Sequence, residues 1–342
     1  QHVSGSFHLN FIGGFANAYE DVTNVIVRLR SSSTTSNKAV LVNSHFDSAI
    51  GTVAASDDVV QVAIMIEVFR SLVWSENDGY SDVIFLFNGA EEAILQASHG
   101  FLKHPWAGDV GVVINLEAAG SGGREVLFQT GPGNQWIAES YAASVPYPHG
   151  SSVYQDVFQS GIVPSDTDYR IFRDFGDIVG ADMAFVEDGW AYHTSNDDTS
   201  RLKLRPGSVQ RCGENVLSLT KELSKRVLME ERSNDDRVTF FDVCGYFMFV
   251  VSVSWVQVVC LISFALLMFW CMRLRVSILH SASHFIRRSF YTLAAPVVVS
   301  LFLVLSPLRW YANPWLVLPL FFAPSLAGAL IPVEDELKDW TG

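Results

Sequence analysis

Thirty consecutive residues, Val243 to Met272, carry no charged side chain. About 20 apolar residues suffice to cross the hydrocarbon of a bilayer. The run therefore predicts a membrane span over 243–272, with its start near Phe247 lying along the membrane surface. Two shorter apolar segments, 290–305 and 314–331, each containing proline, read as further spans. The loop 273–289 between the first two spans carries Arg273, Arg275, Arg287 and Arg288 and no acid. Cytosolic loops are enriched in Lys and Arg, so this loop is expected in the cytosol. Residues 1–232 are then expected as a soluble domain on the other side, in a lumen or outside the cell. The charged stretch within 233–242 reads as a linker and 332–342 as a tail. The chain begins at Gln1 with no signal peptide there, and is expected to be a fragment or a processed form.

Charge is unevenly distributed. Residues 1–240 hold 17 Lys/Arg against 31 Asp/Glu. A surface that acidic is unsuited to nucleic acid, whose phosphates require Lys and Arg. The expected partners are a peptide or protein substrate and the lipid bilayer. The four cysteines, Cys212, Cys244, Cys260 and Cys271, form no CxxC pair. Neither a disulfide framework nor a thiolate metal site is expected.

Within 1–232, strand-like and helical runs alternate. Thr23–Arg30 alternates apolar and polar residues. Ala39–Val42, Val83–Phe87 and Val110–Leu116 are apolar runs, as strands buried on both faces read. Ser56 is placed to cap a helix running to about Trp74, with apolar positions at Val60, Ile64 and Val68. Ala184–Val186 is a further strand candidate. This predicts an α/β fold with a mostly parallel central sheet flanked by helices, followed by α-helical transmembrane segments.

The polar residues cluster where the predicted strands stop. His45 and Asp47 end the first buried run, Glu91 and Glu92 follow the second, and Glu117 ends the third. His193 follows the last candidate strand, and Asp57 and Asp58 open the helix after the first. In open α/β sheets the carboxyl ends of the strands form the usual site. Two histidines with carboxylates suit zinc without cysteine. A carboxylate bridging two metals permits a two-metal site. In the adjacent pair Glu91-Glu92, one carboxylate can bind metal while the other serves as a base.

These stretches carry a resemblance. Asn43-Ser-His-Phe-Asp-Ser48, Ala55-Ser-Asp-Asp58, Phe85-Leu-Phe-Asn-Gly-Ala-Glu-Glu92, Ser98-His-Gly-Phe101, Asn115-Leu-Glu-Ala-Ala-Gly120, Pro164-Ser-Asp-Thr-Asp-Tyr169 and Tyr192-His-Thr194 occur in this order. Together they make roughly residues 8–227 resemble the co-catalytic zinc peptidases of metallopeptidase family 28. That family includes bacterial leucyl aminopeptidases and glutamate carboxypeptidase, and the resemblance is closest to its membrane-bound endoplasmic reticulum branch. It implies two zinc ions per chain: His45 and Glu117 on one, Glu92 and His193 on the other, and Asp57 bridging them. It further implies Glu91 as general base and Asp47 as the residue orienting His45, since metal-bound imidazoles need such a partner. Asp168 and Tyr169 would lie on the substrate side. The expected activity is that of a membrane-anchored aminopeptidase-type metalloprotease in the endoplasmic reticulum membrane, multi-pass, with its peptidase domain luminal.

Three positions depart from the family pattern. Ala54-Ala55 and Val59-Val60 stand where a Gly-Ala and a later glycine are usual. Glu117 replaces an aspartate common in soluble members. Either Asp197 or Asp198 matches the aspartate trailing His193. Three rivals remain: a single-zinc cyclase of N-terminal glutamine on a related fold, a carboxypeptidase for acidic C-termini, and a non-catalytic receptor or scaffold.

Overall fold

The computed structural model describes the chain except for residues 11–12, 33–35, 76–79, 132–134, 162, 164, 203–205, 230–236, 274–277, 304–315, 317 and 331–342. It has two compact units, Gln1–Val253 and Ser254–Gly342.

In the first unit, β1 (His2–Asn10), β2 (Gly14–Leu29), β3 (Ala39–His45), β4 (Asp82–Asn88), β5 (Val110–Ala118), β6 (Val126–Gln129) and β7 (Gly180–Phe185) form one sheet. Their order is β1-β2-β4-β3-β5-β7-β6. The four central strands β4, β3, β5 and β7 are parallel. The edges join antiparallel. The helices are α1 (Val60–Trp74), α2 (Gln96–Phe101), α3 (Gln135–Ser144), α4 (Ser152–Gln159), α5 (Asp168–Asp174), α6 (Thr199–Leu202) and α7 (Ser208–Arg226).

Every residue of β3 is buried, because helices cover both faces of the sheet. Val40, Val42, Val83, Phe85, Val112 and Ile114 pack beneath α1, through Ile64, Met65 and Val68, and beneath α7, through Val216, Leu219 and Leu223. The alternate residues Leu41, Ile84, Leu86 and Val113 face Phe101 of α2 and Phe172 of α5. Burying each such side chain contributes roughly 1.5–3 kcal/mol, so the central strands are the best-anchored part of the unit.

The helix predicted from Ser56 starts later, at Val60. Residues Ala55–Val59 form a wide turn, with non-helical backbone at Asp57 (φ −116°, ψ 84°) and Asp58 (φ −134°, ψ 23°). Ser56 does not cap it; its hydroxyl donates to Asp197 instead. Of the departing valines, Val60 is buried in the core and Val59 is exposed. His99 stacks on Phe7 and bonds the Tyr19 hydroxyl at 2.8 Å.

The first unit ends in an antiparallel hairpin of β8 (Val238–Val243) and β9 (Phe247–Ser252). Strand thus occupies the end of the predicted linker 233–242 and the start of the predicted span 243–272. The alternation explains it: Phe240 and Met248 enter the core while Phe241, Phe247 and Phe249 stay exposed. The remainder of that span is α8 (Val253–Arg273), the one helix among the described residues long and apolar enough to cross a bilayer.

Beyond α8, α9 (Ile278–Leu303) contains Pro296, and α10 (Ala323–Ala329) ends the apolar stretch Leu318–Ala329. The predicted spans 290–305 and 314–331 fall partly on these elements. Arg287 and Arg288 lie within α9 rather than in a loop. Arg275, residues 304–315 and 317, and the tail 332–342 lie outside the described residues.

Candidate metal centre and active site

Each candidate ligand sits where a central strand ends or soon after. His45 is the last residue of β3, Glu117 lies near the end of β5, and Glu92 follows β4. His193 stands in the connection after β7, and Asp57 in the turn before α1. The parallel register sets His45 opposite Asn88 and Asn43 opposite Asn115. The carboxyl ends of β3, β4 and β5 therefore open on one edge.

The structure brings five predicted ligands into two groups of three that share Asp57. In the inner group, His45 Nε2 lies 3.3 Å from Asp57 Oδ1 and 3.6 Å from Glu117 Oε2. In the outer group, His193 Nε2 lies 3.1 Å from Asp57 Oδ2 and 3.1 Å from Glu92 Oε1. Within each group the candidate donor atoms lie within 4.8 Å of one another. Ligand atoms about 2.0–2.2 Å from a tetrahedral zinc stand about 3.3–3.6 Å apart; the inner group matches this spacing and the outer group, at 3.1 Å, is slightly tighter. Asp57 Oδ2 and Glu92 Oε1 are buried yet accept no well-formed hydrogen bond. A buried carboxylate oxygen without a donor is costly, and a cation between these atoms would satisfy both.

The electrostatics point the same way. Burial works against charge on His45, but Asp47, Asp57 and Glu117 outweigh it and hold the imidazole well above its ordinary value. Burial likewise opposes charge on His193, yet Asp57 and Glu92 raise it to about 9. Burial pushes Glu117 up to about 7, with His45 pulling it back. Burial also pushes the Glu91 carboxyl well up, and the charge of Glu117 adds to the push. Protons held by such a cluster are displaced when a metal binds.

Asp47 touches both sides of this chemistry. Its Oδ1 accepts from the Glu91 amide at 3.1 Å and its Oδ2 from the Glu92 amide at 3.0 Å. The same Oδ1 lies 3.4 Å from His45 Nδ1, which also contacts the Asp47 carbonyl at 3.1 Å.

Asp197 and Asp198 divide their tasks. Asp197 is wholly buried and accepts from the Ser56 amide at 2.9 Å and the Asp57 amide at 3.1 Å. Asp198 accepts from the Ser200 amide at 2.7 Å, at the start of α6. Ala54, where glycine is usual, has φ +57°, and His193 has φ +56°. Left-handed backbone costs a residue with a Cβ roughly 1–2 kcal/mol and glycine little. The usual glycine at position 54 thus has a conformational reason, and alanine adopts that conformation under strain.

Asp168 and Tyr169, expected on the substrate side, lie in the interior. Both are fully buried at the start of α5. The Tyr169 hydroxyl donates to the Gly180 carbonyl at 3.2 Å, and its ring belongs to the core. Asp168 accepts from Asn43 at 3.0 Å and from Asn88. It belongs to a polar layer beneath the site that sequence reasoning missed. In that layer Asn115 donates to Asp182 at 2.9 Å and to Glu117 Oε1 at 3.4 Å. Ser44 donates to the buried Asp58 at 2.6 Å. Asparagines near the ends of otherwise apolar strands were the signal for it.

The family model for "Peptidase family M28" matches residues 24–220. Human endoplasmic reticulum metallopeptidase 1 is 48% identical over 250 residues, covering 72% of this chain and 27% of that protein. Putative endoplasmic reticulum metallopeptidase 1-A of Caenorhabditis elegans is 46% identical over 258 residues, covering 74% and 29%. The chain thus spans under a third of the length of these relatives. A solved zinc aminopeptidase from Bacillus subtilis superposes with a TM-score of 0.46 at 19% identity, covering 65% of this chain and 54% of that one. The family match takes in every candidate ligand from His45 to His193 and more than half of the sequence, and the chain belongs to peptidase family M28.

Proposed function

We propose that the chain is the peptidase part of a membrane-anchored di-zinc exopeptidase of the aminopeptidase type. One observation carries this reading: the two carboxylate oxygens of Asp57 serve two separate donor groups, each with its own histidine and glutamate. His45, Asp57 and Glu117 would hold one zinc, and Asp57, Glu92 and His193 the other. When bound, zinc supplies Lewis acidity, lowering the pKa of water to about 7 and polarising a peptide carbonyl.

The chain's own residues do the rest. Glu91 takes the proton from the attacking water and delivers it to the leaving amine nitrogen, as a general base and then acid. Its burial suits this, because a raised carboxyl pKa makes a stronger base. Asp47 holds the Glu91 and Glu92 backbone in place. His193 is on the open side of the centre, with the Tyr192 ring stacked on it at 3.7 Å.

The anchor in this reading is α8, supplemented by the apolar parts of α9 and of Leu318–Ala329. Arg273 at the end of α8 and Arg287 and Arg288 in the first half of α9 favour the cytosolic side for that end of both helices, with residues 1–232 then in a lumen. The names of the relatives support the endoplasmic reticulum membrane.

The test is zinc analysis of the purified chain together with hydrolysis of short peptides blocked at either end. About two zinc ions per chain, with cleavage that requires a free amino terminus, is the expected result. One zinc with cyclisation of N-terminal glutamine, or no zinc and no hydrolysis, would overturn it.

A further inference from the structure

The hairpin β8–β9 has an outward face that the peptidase chemistry does not use. Thr239, Phe241 and Val243 of β8 pair across with Val251, Phe249 and Phe247 of β9. None of these six residues is charged. Phe241, Phe247 and Phe249 are 43%, 49% and 47% exposed, and Tyr246 in the turn is 85% exposed. Their rings are in contact: Phe241–Phe249 centroids lie 5.4 Å apart and Phe247–Phe249 centroids 5.2 Å. An antiparallel hairpin with one face on a core ordinarily shows water polar residues on the other. Exposed aromatic clusters of this kind mark a partner surface.

We infer that this aromatic face rests in the headgroup layer of the bilayer and seats the peptidase unit on the membrane surface. The inference depends on the reading of α8 as a span, and chain length then supplies the argument. The 21 residues of α8, at about 1.5 Å each, reach about 31 Å, the hydrocarbon thickness with almost nothing to spare. Val253 must then stand at the edge of the hydrocarbon. Phe249 precedes it by four residues, at most about 13 Å of strand. The headgroup layer on each side is about 5–8 Å deep, so the patch cannot rise far from it.

The opposite face is fixed to the protein by Phe240 and Met248 in the core. Asp242 holds its end by accepting from the Gly150 amide at 3.1 Å and from Arg124. A rigidly held aromatic face at that depth is an interfacial anchor, with ring area in the lipid boundary.

The test uses the full chain in phosphatidylcholine nanodiscs, with Cys244→Ser, Cys260→Ala and Cys271→Ala, and an environment-sensitive fluorophore on single introduced cysteines. Phe241→Cys and Phe249→Cys report on the patch, Ile262→Cys on α8 and Glu67→Cys on the exposed side of α1. Tyr246→Cys replaces either patch variant whose thermal midpoint falls. At the patch, a blue shift, strong quenching by lipids with a nitroxide near the headgroup, and protection from aqueous iodide are expected. Iodide quenching equal to that at Glu67, or protection from both quenchers as under a second protein surface, would overturn the inference. If the label at Ile262 also escapes the lipid quencher, the spanning role of α8 falls and the seating with it. If only the patch escapes, the anchor stands and the seating alone is wrong.

Discussion

The inner and outer halves of the candidate metal centre share Asp57 but are built differently. The side chains of His45 and Glu117 are 1% and 8% exposed and come from strands at the middle of the sheet. Those of Glu92 and His193 are 12% and 36% exposed and come from connections. Donors on buried strands inherit the rigidity of the core, whereas donors on loops do not. In the proposed centre the inner half would therefore be the preformed one, and the more exposed outer half the side from which a substrate would approach.

Asp57→Ala should have the largest effect, because it removes a donor from both halves at once. Zinc content and hydrolysis should fall together, and the thermal midpoint should no longer respond to added zinc. Retention of about two zinc ions by that variant would dissolve the two-half description. Glu91→Gln comes next, with a loss of about 10²–10⁴-fold in kcat and no loss of metal. Wild-type turnover would remove Glu91 from the base role, and lost zinc would make it a ligand of the outer half.

Asp47→Asn should cost about 10–100-fold in activity or metal affinity, as second partners of ligands usually do. Because Asp47 meets His45 and the Glu91-Glu92 backbone, both halves should suffer; a defect confined to one zinc would show that the contact to the other is idle. The subtlest test compares rates. A chelator added to the loaded protein should remove zinc in two phases, the fast one lost in His193→Ala and the slow one lost in His45→Ala. A single phase would mean that exposure does not distinguish the halves.

The sequence already displayed the central strands and all five candidate ligands, and the reason is burial. Runs such as Ala39–Val42 are apolar on both faces, and the polar residues that follow them stand out. The turn at Ala55–Val59 reads as helix in the sequence because Ser56 is a good cap by type. Its real partner, Asp197, is remote in sequence and leaves no local trace. The burial of Tyr169 is not legible, because a motif's place in a family loop says nothing of which side chains turn inward. The hairpin was hidden because its aromatic strands blend into the apolar run that follows.

The grip of Asp197 on Ser56 and Asp57 also sets a timetable for biosynthesis. The two ends of that contact are separated by 140 residues at Asp57 and 141 at Ser56. At about 5–20 residues per second, a ribosome needs roughly 7–28 s to make the intervening chain. His193 is made only just before Asp197. For nearly all of that interval the nascent chain has the shared carboxylate but neither its pin nor the last histidine. In the proposed centre, metal loading would thus be a late event, waiting until at least the first 197 residues of a unit that ends at Val253 have been made.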